Sequence, residues 1–489
     1  VTAVQVLPLT LLVPLAGAAL IVLAGRWPNL RETVTLVTAV TLFWLVLQVA
    51  AEVFAGARPA FTWIETLPGV PIRFEVEPLG MLFGLIASGL WIVNSIYSIG
   101  YMRGNQEKHQ TRFYAFFALS LASAMGIAFA GNLFTLFIFY EALTLSTYPL
   151  VTHKGHDEAK RAGRLYLGLL LGTSIGLQLV AILWTWSLAG TVDFVPGGIL
   201  AGHIEGPAVA VLLLLFMYGI GKAALMPIHR WLPAAMVAPT PVSALLHAVA
   251  VVKAGVFTVV KVIVYIFGLD LLVTSPGIEL LLYAAGATIL IASVIALRSD
   301  NLKQRLAYST VSQLSYVILA AAILAPLSIA GAALHIAAHA FGKITLFFAA
   351  GAIYTASKKT EVSELAGLGR RMPWTLAAFA IASLSMIGLP PTAGFISKWY
   401  MLSGAFQGEQ MLAVAVIVLS TLLNAGYFLP IVYAAFFKTE TVIKPGRENH
   451  GEAPWPAVLA LTITALLTIA LFVYPAPALE LARAVAEAA

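Results

Sequence analysis

Long, nearly uncharged apolar runs recur along the whole of this sequence, and they constrain its fold more than any other feature. Bounded by polar residues, glycine or proline, they lie near residues 5–25, 33–53, 78–99, 113–130, 132–151, 163–188, 207–228, 240–267, 277–297, 305–325, 328–355, 373–400, 410–437 and 454–474. Each approaches or exceeds the ~20 residues that a helix needs to cross a hydrocarbon core. Backbone groups must be satisfied internally at that depth, and apolar runs of this length predict helices. The chain is therefore read as an all-α polytopic membrane protein with about fourteen transmembrane helices. Only 10% of its 489 residues are charged, whereas a soluble domain carries about 25%. The gaps at 54–77, 189–206 and 356–372 are too short for a soluble domain, so residues 1–489 read as a single membrane domain. Val1 to Gly25 lacks the basic n-region of a signal peptide and more spans follow at once, so it reads as the first mature helix.

The basic residues give this count an independent check. Loops after odd-numbered runs hold twenty Lys and Arg, and loops after even-numbered runs hold two, Arg58 and Arg73. By the positive-inside rule the odd loops are cytoplasmic and both termini lie outside. A net charge of +6 would suggest nucleic-acid binding only if the basic residues clustered on a soluble face, and they do not. With no cysteine, the chain carries no disulfide, thiolate-bound zinc or iron–sulfur cluster of its own.

Five lysines remain inside the predicted spans: Lys222, Lys253, Lys261, Lys343 and Lys398. One acid, Glu141, lies near mid-span, while Glu52 and Glu279 fall at span ends. His247, His335 and His339 are also intramembrane, and His229 is near an end. A charge at the bilayer centre costs about 2.5–3.5 kcal/mol on insertion scales, so six unpaired groups would cost on the order of 15–20 kcal/mol. They must pair, face a polar interior, or give up their charge. Groups that give up and regain charge are what a proton relay requires. Snorkelling from a helix end is an alternative for a single lysine, most of all for Lys261. Glu141 has no such alternative, since it follows the run Leu133 to Tyr140 and precedes Ala142, Leu143 and Leu145.

His335, His339 and Lys343 stand at i, i+4 and i+8, on one stripe of one helix. A histidine pair at this spacing can bind zinc, but no Glu lies between the two and no third ligand is evident, so no metal site is expected. Two spans are interrupted. The seventh carries Gly219, Gly221, Lys222 and Met226-Pro227, and the twelfth carries Gly388, Pro390, Pro391 and Gly394 before Lys398. Broken helices at membrane depth line a cavity or lie inside protein. Two such spans, each with a lysine and five spans apart, suggest an inverted five-helix repeat; simple kinks are the alternative. The histidine- and acid-rich run His153, Lys154, His156, Asp157, Glu158 reads as a solvated cytoplasmic turn, and no nucleophile–base set lies in an aqueous loop, so the chain is read as a transporter subunit rather than an enzyme.

The segments Phe139-Tyr140-Glu141, Gly221-Lys222-Ala223 with Pro227-Ile228-His229-Arg230-Trp231-Leu232-Pro233, and Ala238-Pro239-Thr240-Pro241-Val242-Ser243-Ala244-Leu245-Leu246-His247 resemble the antiporter-like subunits. This superfamily is shared by respiratory complex I, Mrp-type cation/proton antiporters and membrane-bound hydrogenases. The resemblance continues through Val252-Lys253-Ala254-Gly255-Val256, Lys303 with Leu306 to Gln313, His335 to Lys343, and Gly388-Leu389-Pro390-Pro391. It implies fourteen helices with spans 1–3 at about 1–100, two inverted five-helix repeats at about 112–267 and 277–437, and a terminal span at about 453–475. It also implies a proton relay through Glu141, Lys222, His247, Lys253, His335, His339, Lys343 and Lys398, with Glu141 and Lys222 as a switchable pair. Lys261 matches no motif of the family.

The lysine at Lys398, where complex I's fourth-subunit type usually carries a glutamate, argues against that type. The fifth-subunit type and the antiporter A subunit carry long C-terminal extensions, and here the sequence ends soon after the last span. That leaves the Mrp D subunit, its relatives in hydrogenase-like or formate-oxidising complexes, and complex I's second-subunit type; of these, Tyr140 to Pro149 resembles the Mrp D subunit. The expected function is then a proton-translocating subunit of a multisubunit Na+/H+ antiporter in the plasma membrane of a prokaryote. Its partners would be other membrane subunits, the bilayer, protons and Na+, with no cofactor and no nucleic acid. A proton-pumping subunit of a complex I-like or hydrogenase complex is one alternative, and a membrane subunit of a proton-driven inorganic-carbon uptake complex is another.

Overall fold

The computed structural model describes residues 2–67 and 69–489 and is built almost wholly of helices. It begins with α1 (Ala3–Leu23) and α2 (Pro28–Phe54), then a hairpin of β1 (Ala60–Leu67) and β2 (Val70–Glu75). There follow α3 (Pro78–Gly104), α4 (Gln110–Ala128), α5 (Leu133–Val151) and α6 (Asp157–Thr173), which runs through a π-turn at Ser174–Gln178 into α7 (Leu179–Ala189). Next come α8 (Pro207–Gly219) and the one-turn α9 (Trp231–Ala234). A long interrupted helix then joins α10 (Thr240–Ala244), a π-turn at Leu245–Val249, α11 (Val251–Val262) and a second π-turn at Ile263–Phe267. After α12 (Leu269–Val273) come α13 (Pro276–Arg298), α14 (Leu302–Ala322), α15 (Pro326–Ser357), α16 (Pro373–Ile387), α17 (Ala393–Gln407), α18 (Met411–Phe437), α19 (Trp455–Val473) and α20 (Ala476–Glu487).

Local chemistry sets many of the starts. Pro28, Pro78, Pro207, Pro276, Pro326 and Pro373 stand in the first turn of their helices, where a missing N–H costs nothing and the fixed φ fits. Side chains of Glu77, Asn132 and Asn301 accept backbone N–H bonds at the starts of α3, α5 and α14. Among the described residues, eleven helical stretches are long and apolar enough to cross a bilayer. The protein is a multi-pass membrane protein. The stretch Thr240–Phe267 is wholly buried and α15 almost wholly, so these two form the centre. α1, α2, the α6–α7 stretch, α18 and α19 form the rim, with Leu12, Trp44, Leu422 and Leu466 turned outward.

Two features depart from the all-α reading of the gaps. The segment 54–77 holds an antiparallel hairpin in which Phe61 faces Phe74 and Ile64 faces Ile72. These are good strand formers, but a search for runs of twenty apolar residues passes over strands this short. Phe74 also bridges to Ala130, fastening the hairpin to the α4–α5 connection. The tail beyond α19 forms α20, which packs Leu481, Ala482 and Val485 inward. At the opposite, basic end, Glu440 accepts from Lys359 Nζ at 2.7 Å and Arg371 Nε at 2.6 Å. Burial acts to raise its carboxyl, but the Lys359 hydrogen bond and the two cations hold it below the usual carboxylate range.

Candidate functional site

The site begins where α8 fails. The helix stops at Gly219, Gly221–Ala223 makes one tight turn, and Pro227 removes a backbone donor before α9. The close approach of α11 requires a glycine opposite: a Cβ at Gly255 would lie 2.3 Å from the Lys222 carbonyl carbon. Lys222 is therefore held in the break with no exposed surface. Its Nζ donates to the Tyr140 carbonyl at 2.9 Å and the Thr144 hydroxyl at 2.6 Å, and sits 3.2 Å from the Tyr140 ring centroid. Glu141, the next residue on α5, has both carboxylate oxygens shielded and without a protein partner. Lys222 and Glu141 are near enough to feel each other's charge, with Ser174 of the π-turn beside the carboxyl, yet they form no ion pair.

The central groups are all fully buried. On α11, Lys253 Nζ lies 2.5 Å from His339 Nδ1 of α15. One turn back along α15, the His335 ring centroid is 6.1 Å from that of His339. His335 Nε2 meets Gln313 Oε1 of α14 and its Nδ1 meets Ser397 Oγ of α17, both at 2.9 Å. One turn forward, Lys343 Nζ donates to Ser309 Oγ at 2.8 Å, and Ser309 also accepts from the Tyr427 hydroxyl at 3.1 Å. His247, in the π-turn before α11, packs its ring 4.7 Å from that of Phe347 and leaves both ring nitrogens without a protein partner.

The second break lies between α16 and α17. Here Lys398 Nζ donates to the Met386 and Ile387 carbonyls, both at 2.9 Å. These are last-turn carbonyls of α16, the negative end of a helix, which suits a cation. The Met386 carbonyl also accepts from Gln313 Nε2 at 3.4 Å and Asn424 Nδ2 at 3.3 Å. Lys253, His339, His335, Gln313 or Ser397, and Lys398 thus form a nearly continuous polar chain across four helices.

The structure brings Lys253, His335, His339 and Lys398 into this chain, fastens Lys343 separately to Ser309, and leaves Glu141, Lys222 and His247 without direct contact to it. It adds Ser309, Gln313, Ser397, Asn424 and Tyr427, neutral groups that a search for buried charge does not single out. Lys261 does not snorkel: it is fully buried and pairs with Glu77 Oε1 at 2.9 Å. The turn after α5 is not uniformly solvated either. His156 caps α6, its Nδ1 accepting from the Ala159 N–H, but His153 is buried with neither ring nitrogen bonded. Burial, and then the neighbouring Arg112 charge, push its ring down to about 4.

Residues 130–424, which contain every member of the row from Glu141 to Lys398, match the family described as "NADH:quinone oxidoreductase/Mrp antiporter, TM". The chain belongs to this family. The antiporter-family chain is 33% identical over 396 residues to the NADH-quinone oxidoreductase subunit N of Desulforudis audaxviator, covering 79% of its own length and 77% of that protein's. It is 25% identical to the Na(+)/H(+) antiporter D subunit of Alkalihalophilus pseudofirmus, and there the match covers 94% and 93% of the two chains. Its fold superposes on a chain of the Mrp complex from a Dietzia species with a TM-score of 0.87, covering 99% and 97% at 23% identity. Relatives of this antiporter-family chain therefore carry the names of both transporter and oxidoreductase subunits. Glu77 lies outside the matched segment.

Proposed function

We propose that this chain conducts protons within a multisubunit Na+/H+ antiporter of the Mrp type, along the row Glu141, Lys222, His247, Lys253, His335, His339, Lys343 and Lys398. The observation that carries this reading is the polar chain from Lys253 through His339 and His335 to Lys398, fully or almost fully buried at the centre of the helical bundle. Near end-to-end coverage of an antiporter D subunit favours the Mrp assignment. In the membrane, α8 with its break, the polar α14, and α16 with α17 would complete fourteen crossings beside the eleven apolar ones. Residues 112–267 and 277–437 would form two inverted five-helix repeats in a single membrane domain, with one lysine-bearing break in each. The basic end would face the cytoplasm of a prokaryotic cell and both termini the outside. Coupling needs other membrane subunits, since a lone conductor would only dissipate the gradient.

The test is proton transport by the intact complex in vesicles after Glu141→Ala or Lys222→Ala. Each is expected to lower transport by about tenfold or more, as loss of an interaction used in the rate-limiting transfer does. Unchanged transport in both variants, with normal assembly, refutes the relay. The higher identity to an oxidoreductase subunit supports a second reading, a proton-pumping subunit of a complex I-like assembly. Purification of the native complex separates the two, by the presence of small antiporter subunits or of redox subunits.

A further inference from the structure

Of the five intramembrane lysines, Lys261 is the one with an acid in ion-pair contact among the described residues. Its Nζ donates to Glu77 Oε1 at 2.9 Å and to the Ala130 carbonyl at 3.2 Å, and lies 4.0 Å from the Phe194 ring centroid. The rings of Phe257 and Tyr265 close the box at 5.5 and 5.7 Å. Glu77 is equally committed. Its Oε1 also accepts from the Gly80 N–H at 3.0 Å, and its Oε2 from the Leu79 N–H at 3.0 Å and the Tyr265 hydroxyl at 2.9 Å. Two of these donors are the open N–H groups of the α3 N-terminus, which favour an anion.

The position of this pair gives it meaning. Lys261 lies eight residues beyond Lys253 on α11, about 12 Å along the axis. It points into the hairpin end, since Glu77 follows β2, Ala130 bridges to Phe74, and Phe194 lies in the α7–α8 connection. A proton wire needs members that accept one proton before releasing another. An ammonium has no lone pair and cannot accept one. Lys222, Lys253, Lys343 and Lys398 contact hydroxyls, carbonyls or an imidazole, and among the described residues none of them has a carboxylate in ion-pair contact. Lys261 faces a carboxylate that the Leu79, Gly80 and Tyr265 donors also hold in place.

We propose that the Lys261–Glu77 pair is a seal, closing the hairpin end beyond Lys253 so that protons on the row cannot leave there and pass on toward Lys398. This rests on the proton-relay reading above. It concerns leakage rather than transport, so the two can fail separately.

The experiment measures passive proton flux into liposomes holding the purified intact complex, under a potassium diffusion potential and without a sodium gradient. Lys261→Met is expected to raise the flux about tenfold, the factor equivalent to one charge-assisted hydrogen bond. Lys261→Arg should stay tight, because the guanidinium keeps the charge and the donors. Lys261→Met strands a buried carboxylate, which can compromise folding. The Glu77→Gln/Lys261→Met double variant removes both charges and is expected to leak as well. Adding Lys253→Met should abolish the leak, since its source on the row is gone. Tight vesicles with Lys261→Met and with the double variant would overturn the seal and leave the relay to the Glu141 and Lys222 test. A leak that survives Lys253→Met would also overturn it, because the pair would then guard some other path. So would lost transport without leak, which would make Lys261 a member of the relay.

Discussion

Lys253 on α11 and His339 on α15 share a hydrogen bond 2.5 Å long, joining two bases with no acid in ion-pair contact with either. One nitrogen must offer its lone pair to the other's N–H, so the pair holds at most one positive charge while the bond lasts. Two protonated partners would repel and part. The bond is thus compatible with one added proton on the pair and not with two.

Lys253→Arg separates donation from proton exchange. Arginine preserves a donor toward His339 but does not deprotonate in proteins. Transport by the intact complex is expected to fall about tenfold or more, as far as in Lys253→Met, while assembly is retained. Wild-type flux in Lys253→Arg vesicles would show that Lys253 never needs to release its proton.

Gln313 joins His335 to the Met386 carbonyl that also holds Lys398. Gln313→Leu keeps the volume and leaves His335 Nε2 without its partner, a loss of about 1–3 kcal/mol for a buried polar group. Transport should drop about tenfold with little change in the amount of complex recovered. Equal transport in the variant would mean that the step from His335 runs through Ser397 alone.

The second break depends on a glycine. A Cβ at Gly394 would lie 1.7 Å from the Ser385 carbonyl oxygen, whereas Gly168 has open space around it. Gly394→Ala should destabilise by about 1–3 kcal/mol, the usual cost of overpacking, and Gly168→Ala should not. Thermal melting of the detergent-solubilised protein distinguishes them; equal melting temperatures would contradict the close approach of α17 to α16.

Much of this arrangement is legible in the sequence because lipid makes charge conspicuous. The run 132–151 became α5 (Leu133–Val151), 277–297 became α13 (Pro276–Arg298), and 410–437 became α18 (Met411–Phe437). Lys253, His335, His339 and Lys343 stood out since ionisable groups at such depth are expensive. Gln313, Ser309 and Asn424 did not, because a neutral polar side chain costs far less and is common in helices. Glu77 escaped for a different reason: it stands one residue before α3, so it counts as a loop acid until the fold closes Tyr265 and Lys261 over it. The hairpin was hidden by the length of the pattern sought.

His153 gives a pH dependence outside the membrane spans. Burial, then Arg112, lower its pKa from 6.5 to about 4. The folded protein thus refuses a proton that the unfolded chain accepts below about 6.5, and the associated stability is complete above that pH and lost as pH falls toward 4. The loss is at most about 3 kcal/mol by linkage. His153→Phe should melt with a shallower decline between these pH values than the wild type. Parallel curves would show that the ring is hydrated or protonated in the folded state.

α15 carries three candidate side chains on one stripe, and between them they are fastened to three neighbouring helices. His339 reaches α11, Lys343 reaches α14, and His335 reaches α14 and α17. α15 is one unbroken helix of 32 residues with no proline in its interior. A few degrees of roll, or a slide of an ångström, would change all of these contacts together. Their geometry is consequently mechanically ganged: no rigid displacement of α15 can open the Lys253 contact while leaving those of Ser309, Gln313 and Ser397 as they were.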